Sequence, residues 1–505
     1  MAVSEELFKL IKSLSKSEKR YFKLYAELFT SRNKNVYVIL FDQIEKQKEY
    51  NEPKVLRAFR LKGIKVDLPS LKLYLYDLIL KCLRSYKTEL SVNEKINELI
   101  SSANILISKG LYTQAKKYLK KAKTLAEENE AYTLLVDITS IEGKNQQFFS
   151  KHEDFEEGTN KNYHLQLEII KTMEEALHYR NLNAKAFILH NKIPFIRNQE
   201  HLNQFQELIT HPYMDIEKAR NKTSKLIYYG IMGGYYHNIM EYEKLYMHSQ
   251  KQLDIIKSSE TLMKTKNDAL MIAYANVISS CINTDRKFEA LKFLKQKNED
   301  LQKPIFKKED FLYKFYITNC IFLELMLYVH FGDVPNAVSL IKNKFNEVYS
   351  EEPPYYMKEN EFLLYCTRTY LLAEDYKKAE DMLIILLNRP YSKAHSYFNS
   401  LARFLNLIIH FELEHFNLLD HLVVSCYRFV LKRKDSFKTE KEIVSLLRKA
   451  GAAVDKKERL EVFKQSLEKL NELKNEQFEK PAFAYFDYTL WLRSKVEGKS
   501  MVELN

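Results

Sequence analysis

The chain has 505 residues, 46% of them hydrophobic, so it can bury a large core and is long enough for two to four domains or one elongated repeat array. Only 10 Gly and 10 Pro occur in it, whereas sandwiches, barrels and phosphate-loop folds use those residues at several times that rate, so an all-α protein is expected. The net charge of +12 is uneven: residues 1–90 hold 19 Lys and Arg against 11 Asp and Glu, a surplus of +8.

The first stretch, MAVSEELFKLIKSL, carries Glu5 and Glu6 and lacks an uninterrupted apolar core, so it is not expected to act as a secretory signal. It reads as a short helix around Glu5 to Ser13. Ser15 and Glu18 have the spacing of a capping box, so a second helix starts there, with Tyr21, Leu24, Tyr25 and Leu28 as its buried stripe. Lys16, Lys19, Arg20 and Lys23 fall together on another face, where they either meet phosphates or an acidic partner, or stay solvated. Val36, Ile39, Leu40 and Ile44 mark a third helix. Pro53 suits the first turn of a fourth, with Val55, Leu56 and Phe59, ended by Gly63. In LPSLKLYLYDLILKCLRSY the residues Leu71, Tyr74, Leu75, Leu78, Ile79, Cys82, Leu83 and Tyr86 form a helical stripe that Leu73, Tyr76 and Leu80 widen, as for a helix inside a domain. The order of the last two helices raises a helix-turn-helix reader, but the apolar width argues against insertion into a DNA groove.

From Ser91 the pattern changes to helical hairpins. In Ile96 to Ala126, Leu99, Ala103 and Leu106 share one helical face, Gly110 ends the helix, and Ala115, Leu119 and Ala122 begin a second stripe. The short turn makes the two helices antiparallel neighbours, with Tyr112 at the turn and Lys116, Lys117, Lys120 and Lys121 in water. This arrangement resembles a tetratricopeptide repeat, which favours a small residue, Gly, an aromatic two residues on, then Ala and Ala. Here those are Ala103, Gly110, Tyr112, Ala115 and Ala122, with Leu99 and Leu106 where the family often has Trp and Tyr. The resemblance implies a superhelix of antiparallel hairpins that binds proteins. The chain is also similar to repeat proteins in which a module with motifs akin to LSKSEKRYFKLYA and LYLYDLILKCLRSY precedes the array; that similarity implies no activity.

Glu153, Asp154, Glu156, Glu157 and Gly158 read as an acidic helix end or loop, without the His or Asn that would complete a metal site. Residues Tyr163 to His211 are helical in pattern, broken by Pro194 and Pro212. The hairpin pattern returns with Gly233, Tyr236, Tyr242 and Leu245, and the crowding of Gly230, Gly233 and Gly234 implies close backbone packing, since no strand precedes them and no GK[ST] follows. Further turns are expected near Phe288, at Gly332 with Val334 and Ala337, at Tyr376 with Ala379, and at Phe416 with Leu419. Taking Tyr242, Phe288, Val334, Tyr376 and Phe416, the separations are 46, 46, 42 and 40 residues, longer than the standard repeat.

Lys432, Arg433, Lys434 and Lys438 read as a basic connector. A charged helix from Lys456 to Lys474 buries Leu460, Phe463, Leu467 and Leu470, and Phe483, Tyr485, Phe486, Tyr488 and Trp491 suit a terminal cap. The expected division is therefore a basic helical module (1–90), a tetratricopeptide-like array (91–450) and capping helices (451–505). Cys82, Cys281, Cys320, Cys366 and Cys426 stand singly among apolar neighbours and read as reduced core residues. The apolar runs Leu270 to Ile282 and Cys320 to Phe331 fall short of a membrane span, and a cytoplasmic protein is expected. No nucleophile signature, HExxH, CxxC or nucleotide loop occurs, and the dispersed histidines, His237, His248 and His410 among them, read as hydrogen-bonded core or surface groups. The expected function is non-enzymatic and needs no cofactor: a scaffold binding a peptide or protein segment on the concave face of the array. The alternative is a nucleic-acid-associated regulator that uses residues 1–90.

Overall fold

Among the described residues helices form every regular element, and the hairpin turns explain how they stack. The computed structural model describes residues 3–28, 36–88, 92–149, 155–193, 195–304, 306, 311–349, 357–389, 396–433 and 436–504. Contacts divide the chain into two compact units, Met1–Met173 and Glu174–Asn505. Ser91, Glu153, Asp154, Pro194 and Lys434 lie outside the described residues, as does the side chain of Leu28.

The first unit begins with α1 (Val3–Ser13), α2 (Lys16–Leu28), α3 (Val36–Glu45), α4 (Glu52–Leu61) and α5 (Leu68–Thr88). The capping box forms as expected: Ser15 N donates to Glu18 Oε2 at 2.8 Å and Glu18 N to Ser15 Oγ at 3.2 Å. Leu7, Ile11, Phe22, Leu40, Phe41, Ile44, Val55, Phe59, Leu75 and Ile79 close a core drawn from this segment alone. Two expected stripes are corrected. On α2 the residues that enter the core are Phe22 and Ala26, while Tyr21 and Tyr25 are half-buried and Leu24 is exposed. On α5, Leu73, Tyr74 and Leu80 are exposed, because α1, α2 and α3 cover one side of the helix only. Lys72 takes a buried place there by pairing with Glu52 and lying 5.2 Å from the Tyr50 ring centre.

The unit continues with α6 (Val92–Ser108), α7 (Tyr112–Glu128), α8 (Tyr132–Lys144), α9 (Gln146–Phe149) and α10 (Phe155–Lys192), and its limit falls within α10. The hairpin α6–α7 forms as expected, with Ile96, Ala103, Ala115, Leu119 and Ala122 fully buried. Tyr112 stacks on Phe148 with ring centres 4.2 Å apart. Glu156 and Glu157 sit in the first turn of α10, where helix-end amides favour negative charge.

The second unit opens with α11 (Gln199–Ile209), followed by the hairpin α12 (Lys222–Asn238) and α13 (Tyr242–Lys257) and the short α14 (Glu260–Thr265). Four more hairpins follow: α15 (Asn267–Asn283) with α16 (Lys287–Leu301), α17 (Phe311–His330) with α18 (Val334–Val348), α19 (Met357–Leu372) with α20 (Tyr376–Leu387), and α21 (Ser396–Glu412) with α22 (Phe416–Leu431). Then come α23 (Lys438–Ala452), α24 (Lys456–Asn475), α25 (Tyr488–Glu497) and α26 (Met501–Leu504). Each helix packs on its hairpin partner, and α15, α17, α19, α21 and α23 pack in succession on one another, which gives a helical-repeat stack around one core from Leu226 to Met501. Among the described residues no helix is long and apolar enough to cross a membrane.

Among the described residues, seven turns whose second helix opens two residues after a left-handed position share one geometry. Gly110, Glu130, Met240, Asp285, Gly332, Glu374 and Glu414 hold positive φ between 52° and 73°. The next residue donates its N–H to the carbonyl five positions earlier, at 2.8 to 3.0 Å, as in Glu241 to Tyr236 and His415 to His410. Five residues after each left-handed position stands a buried Ala or Leu: Ala115, Leu135, Leu245, Ala290, Ala337, Ala379 and Leu419. This register corrects the third array turn: Lys287, not Phe288, opens α16, and Phe288 is 87% exposed.

The aromatic cluster after α24 is buried, with Trp491 edge-on to Phe411 and Phe463 at 6.1 and 6.2 Å. Trp491 Nε1 donates to Glu412 Oε1 at 2.6 Å, and Lys495 holds the other oxygen at 2.6 Å. These contacts fasten α25 to α21 and α24. All five cysteines are buried and unbridged, and burial pushes Cys82, Cys281 and Cys426 up to about 11.

Candidate binding cavity

The first helices of successive hairpins in the second unit turn polar side chains toward one cavity. On α15, Asn276, Ser279 and Asn283 follow the three-and-four spacing of one face, and all are half-buried. On α17 the lining is Asn319, Phe322, Leu323, Met326 and His330; on α19 it is Glu361, Tyr365 and Arg368. His237, Met240 and Tyr242 close one end. The opposite wall comes from Phe195 and from Lys474, Lys480, Phe483, Ala484, Tyr485 and Asp487. Two adjoining spaces of about 550 and 140 Å³ result.

Charge is organised in this cavity. Lys474 Nζ pairs with Asp487 Oδ2 at 2.7 Å and His330 Nε2 with Asp285 Oδ1 at 2.9 Å. Burial alone would raise the Asp487 carboxyl, but hydrogen bonds from Lys474 and Thr489 hold it below its ordinary value. The Arg368 guanidinium lies 5.6 Å from the Tyr365 ring centre, and burial pushes that phenol up. Asn283 Nδ2 donates to Ser279 O at 2.8 Å, which fixes the rotamer of its amide.

Part of the surface already holds polypeptide. Between α24 and α25 the chain leaves helical structure except for one 3₁₀ turn, Lys480–Phe483. Tyr485 there meets Phe195, Tyr365 and Phe398 edge-on at 6.2, 5.9 and 6.0 Å. Glu479 accepts from Lys438 N at 2.8 Å, from Thr439 N at 3.0 Å and from Thr439 Oγ1 at 2.8 Å, so it caps the start of α23 from outside. Aromatic rings and carboxylates thus dock an irregular segment on the stack.

The residues singled out in the sequence lie elsewhere. Lys19 pairs with Glu45 at 3.3 Å, and Lys23 with Asp42 at 2.8 Å and Glu45 at 3.5 Å, so half of the basic stripe is turned onto carboxylates of α3; Lys16 and Arg20 are exposed. In the connector, Arg433 binds Ser400 and Glu440 at 2.8 and 3.3 Å, and Lys438 binds Glu476 at 2.6 Å. Ala103, Ala115, Ala122, Ala337 and Ala379 are packing residues with no exposure, and Gly110 and Gly332 serve turns. Tyr376, whose phenol burial pushes up, bonds to Glu412, which also holds Trp491, and Tyr242 alone of this set lines the cavity. The cavity residues Asn276, Asn283 and Arg368 carried one sequence signal, polar side chains on otherwise apolar helices. The chain matches no model of a known protein family, and a search of curated proteins finds no similar sequence.

Proposed function

We propose that the second unit is a tetratricopeptide-like protein-binding module that takes an irregular, aromatic and acidic polypeptide segment into the cavity of its first helices. The observation that carries this reading is the stretch Phe478 to Asp487, a segment of that composition docked on the same surface. Asn276 offers the donor–acceptor pair that matches a peptide backbone, Asn283 offers its Oδ1 as an acceptor, and Arg368 and Lys480 suit an acidic side chain. A pre-formed, partly apolar cavity limits the ordering cost of binding to that of the incoming segment. Selection of a random peptide display library on the full chain tests the reading. Enriched peptides rich in Phe, Tyr, Asp and Glu are expected, losing binding to Arg368→Glu and Asn283→Leu but not to Lys117→Glu. Peptides that bind all three variants alike would sink it.

A further inference from the structure

The turn between α21 and α22 carries a histidine in the residue after the left-handed position. At two equivalent turns that residue is an aspartate capping the second helix: Asp333 accepts from Asn336 N at 3.4 Å and Asp375 from Lys378 N at 3.2 Å. Here it is His415, whose side chain makes no cap. Its ring reaches back across the turn instead, and His410 Nδ1 and His415 Nδ1 stand 3.2 Å apart. On the far side His410 Nε2 lies 3.9 Å from Glu380 Oε1, which belongs to α20 of the preceding hairpin. One donor atom from each of the three residues lies within 4.8 Å of the others; Glu380 and His410 are buried and His415 is at the surface.

We propose that Glu380, His410 and His415 form a binding site for a divalent transition-metal ion of the zinc type, with water in the open position on the side of His415. Two imidazole nitrogens about 3.2 Å apart are spaced as neighbouring ligands of an ion with metal–nitrogen bonds of about 2.0–2.1 Å. A set of two imidazoles and one carboxylate suits zinc and its neighbours, whereas calcium and magnesium take oxygen shells. Glu380 Oε2 is held by Lys377 at 2.6 Å and its Oε1 lies nearest His410 Nε2, at 3.9 Å, so the carboxylate has to swing toward the Nδ1 side of the ring to join an ion shared by the two Nδ1 atoms. The Lys377 ammonium compensates that carboxylate and would compete with the ion, which it can do reversibly because its side chain is 72% exposed. The ion would tie α20 to the α21–α22 turn and so fasten one hairpin to the next. The site shares no residue with the cavity.

A proton shared between the two Nδ1 atoms explains the same 3.2 Å without metal, and the experiment separates the two. The full chain is stripped with chelator and titrated with zinc chloride by calorimetry, then with cobalt chloride to record its visible absorption. About one zinc per chain is expected, with a raised melting temperature and cobalt bands of a four-coordinate site. His415→Gln, at an exposed position that leaves the fold intact, should weaken binding at least about tenfold and remove the bands. Lys377→Met should tighten it. Zinc bound equally by the chain and by His415→Gln, or bound more weakly by Lys377→Met, overturns the proposal.

Discussion

At the scale of single residues, a missing carbon atom decides how α12 sits. A Cβ at Gly234 would stand 2.3 Å from Nε2 of the half-buried His190 ring, whereas one at Gly233 would meet Ser249 Oγ and Leu245 Cδ1 at ordinary distances of 3.5 and 3.6 Å. Gly234→Ala is therefore expected to destabilise by about 1–3 kcal/mol through overpacking, and Gly233→Ala to stabilise by up to about 1 kcal/mol through helix propensity. Urea denaturation of the two variants checks the contrast, and equal effects would refute it. Burial drives His190 down to about 4, helped by the nearby His237 and opposed by its hydrogen bond with Asn238. The folded state thus favours the neutral ring, so this contribution is complete above the ordinary histidine value near 6.5 and is lost as pH falls toward 4. Over that window it amounts to on the order of 3 kcal/mol, and His190→Gln should flatten the stability profile between those pH values. The crowded glycines announced close packing in the sequence. Which of them is indispensable depends on His190, more than forty positions away, and no local pattern carries that.

At the scale of elements, the repeated unit is the left-handed turn with its buried Ala or Leu five residues on. Five of the seven turns place a non-glycine residue at positive φ, a conformation that costs roughly 1–2 kcal/mol for an L-residue. Glu374→Gly should accordingly raise stability by a few tenths to about 1 kcal/mol, less what glycine adds to the freedom of the unfolded chain, and Gly332→Ala should lower it by a similar amount. Thermal melts of both variants measure this; a loss on Glu374→Gly would contradict it. The hairpins were legible because Ala115, Leu245, Ala337, Ala379 and Leu419 keep the spacing. Phe288 misled because an aromatic beside a turn looks like the packing residue, and Lys287 opens the helix with none of that signature. Leu24 and Leu73 misled for a related reason: an apolar stripe names a face, but the neighbouring helices decide how wide a face they cover.

At the scale of the whole molecule, each unit closes cores of its own, and the single tryptophan belongs to the second. Intrinsic Trp491 fluorescence should follow the second unit alone while far-ultraviolet circular dichroism follows both, so the two unfolding curves are expected not to coincide. Superimposable curves would show one cooperative transition. The all-helical class and the hairpin stack were legible from scarce Gly and Pro and from apolar spacing. The cavity was not, because its walls come from Phe195, from residues between His237 and Arg368, and from Lys474 to Asp487, which only the fold brings together.

The segment that carries Tyr485 and Trp491 has a consequence for biosynthesis. A ribosome finishes α15 about 200 residues before it reaches Trp491, an interval on the order of ten to forty seconds at ordinary elongation rates. Through that time the nascent helices keep their inner faces uncovered, and whatever binds them then, chaperone or assembly partner, meets no competition from the chain's own segment. Translation speed between Asn283 and Trp491 therefore sets how long the growing protein stays receptive.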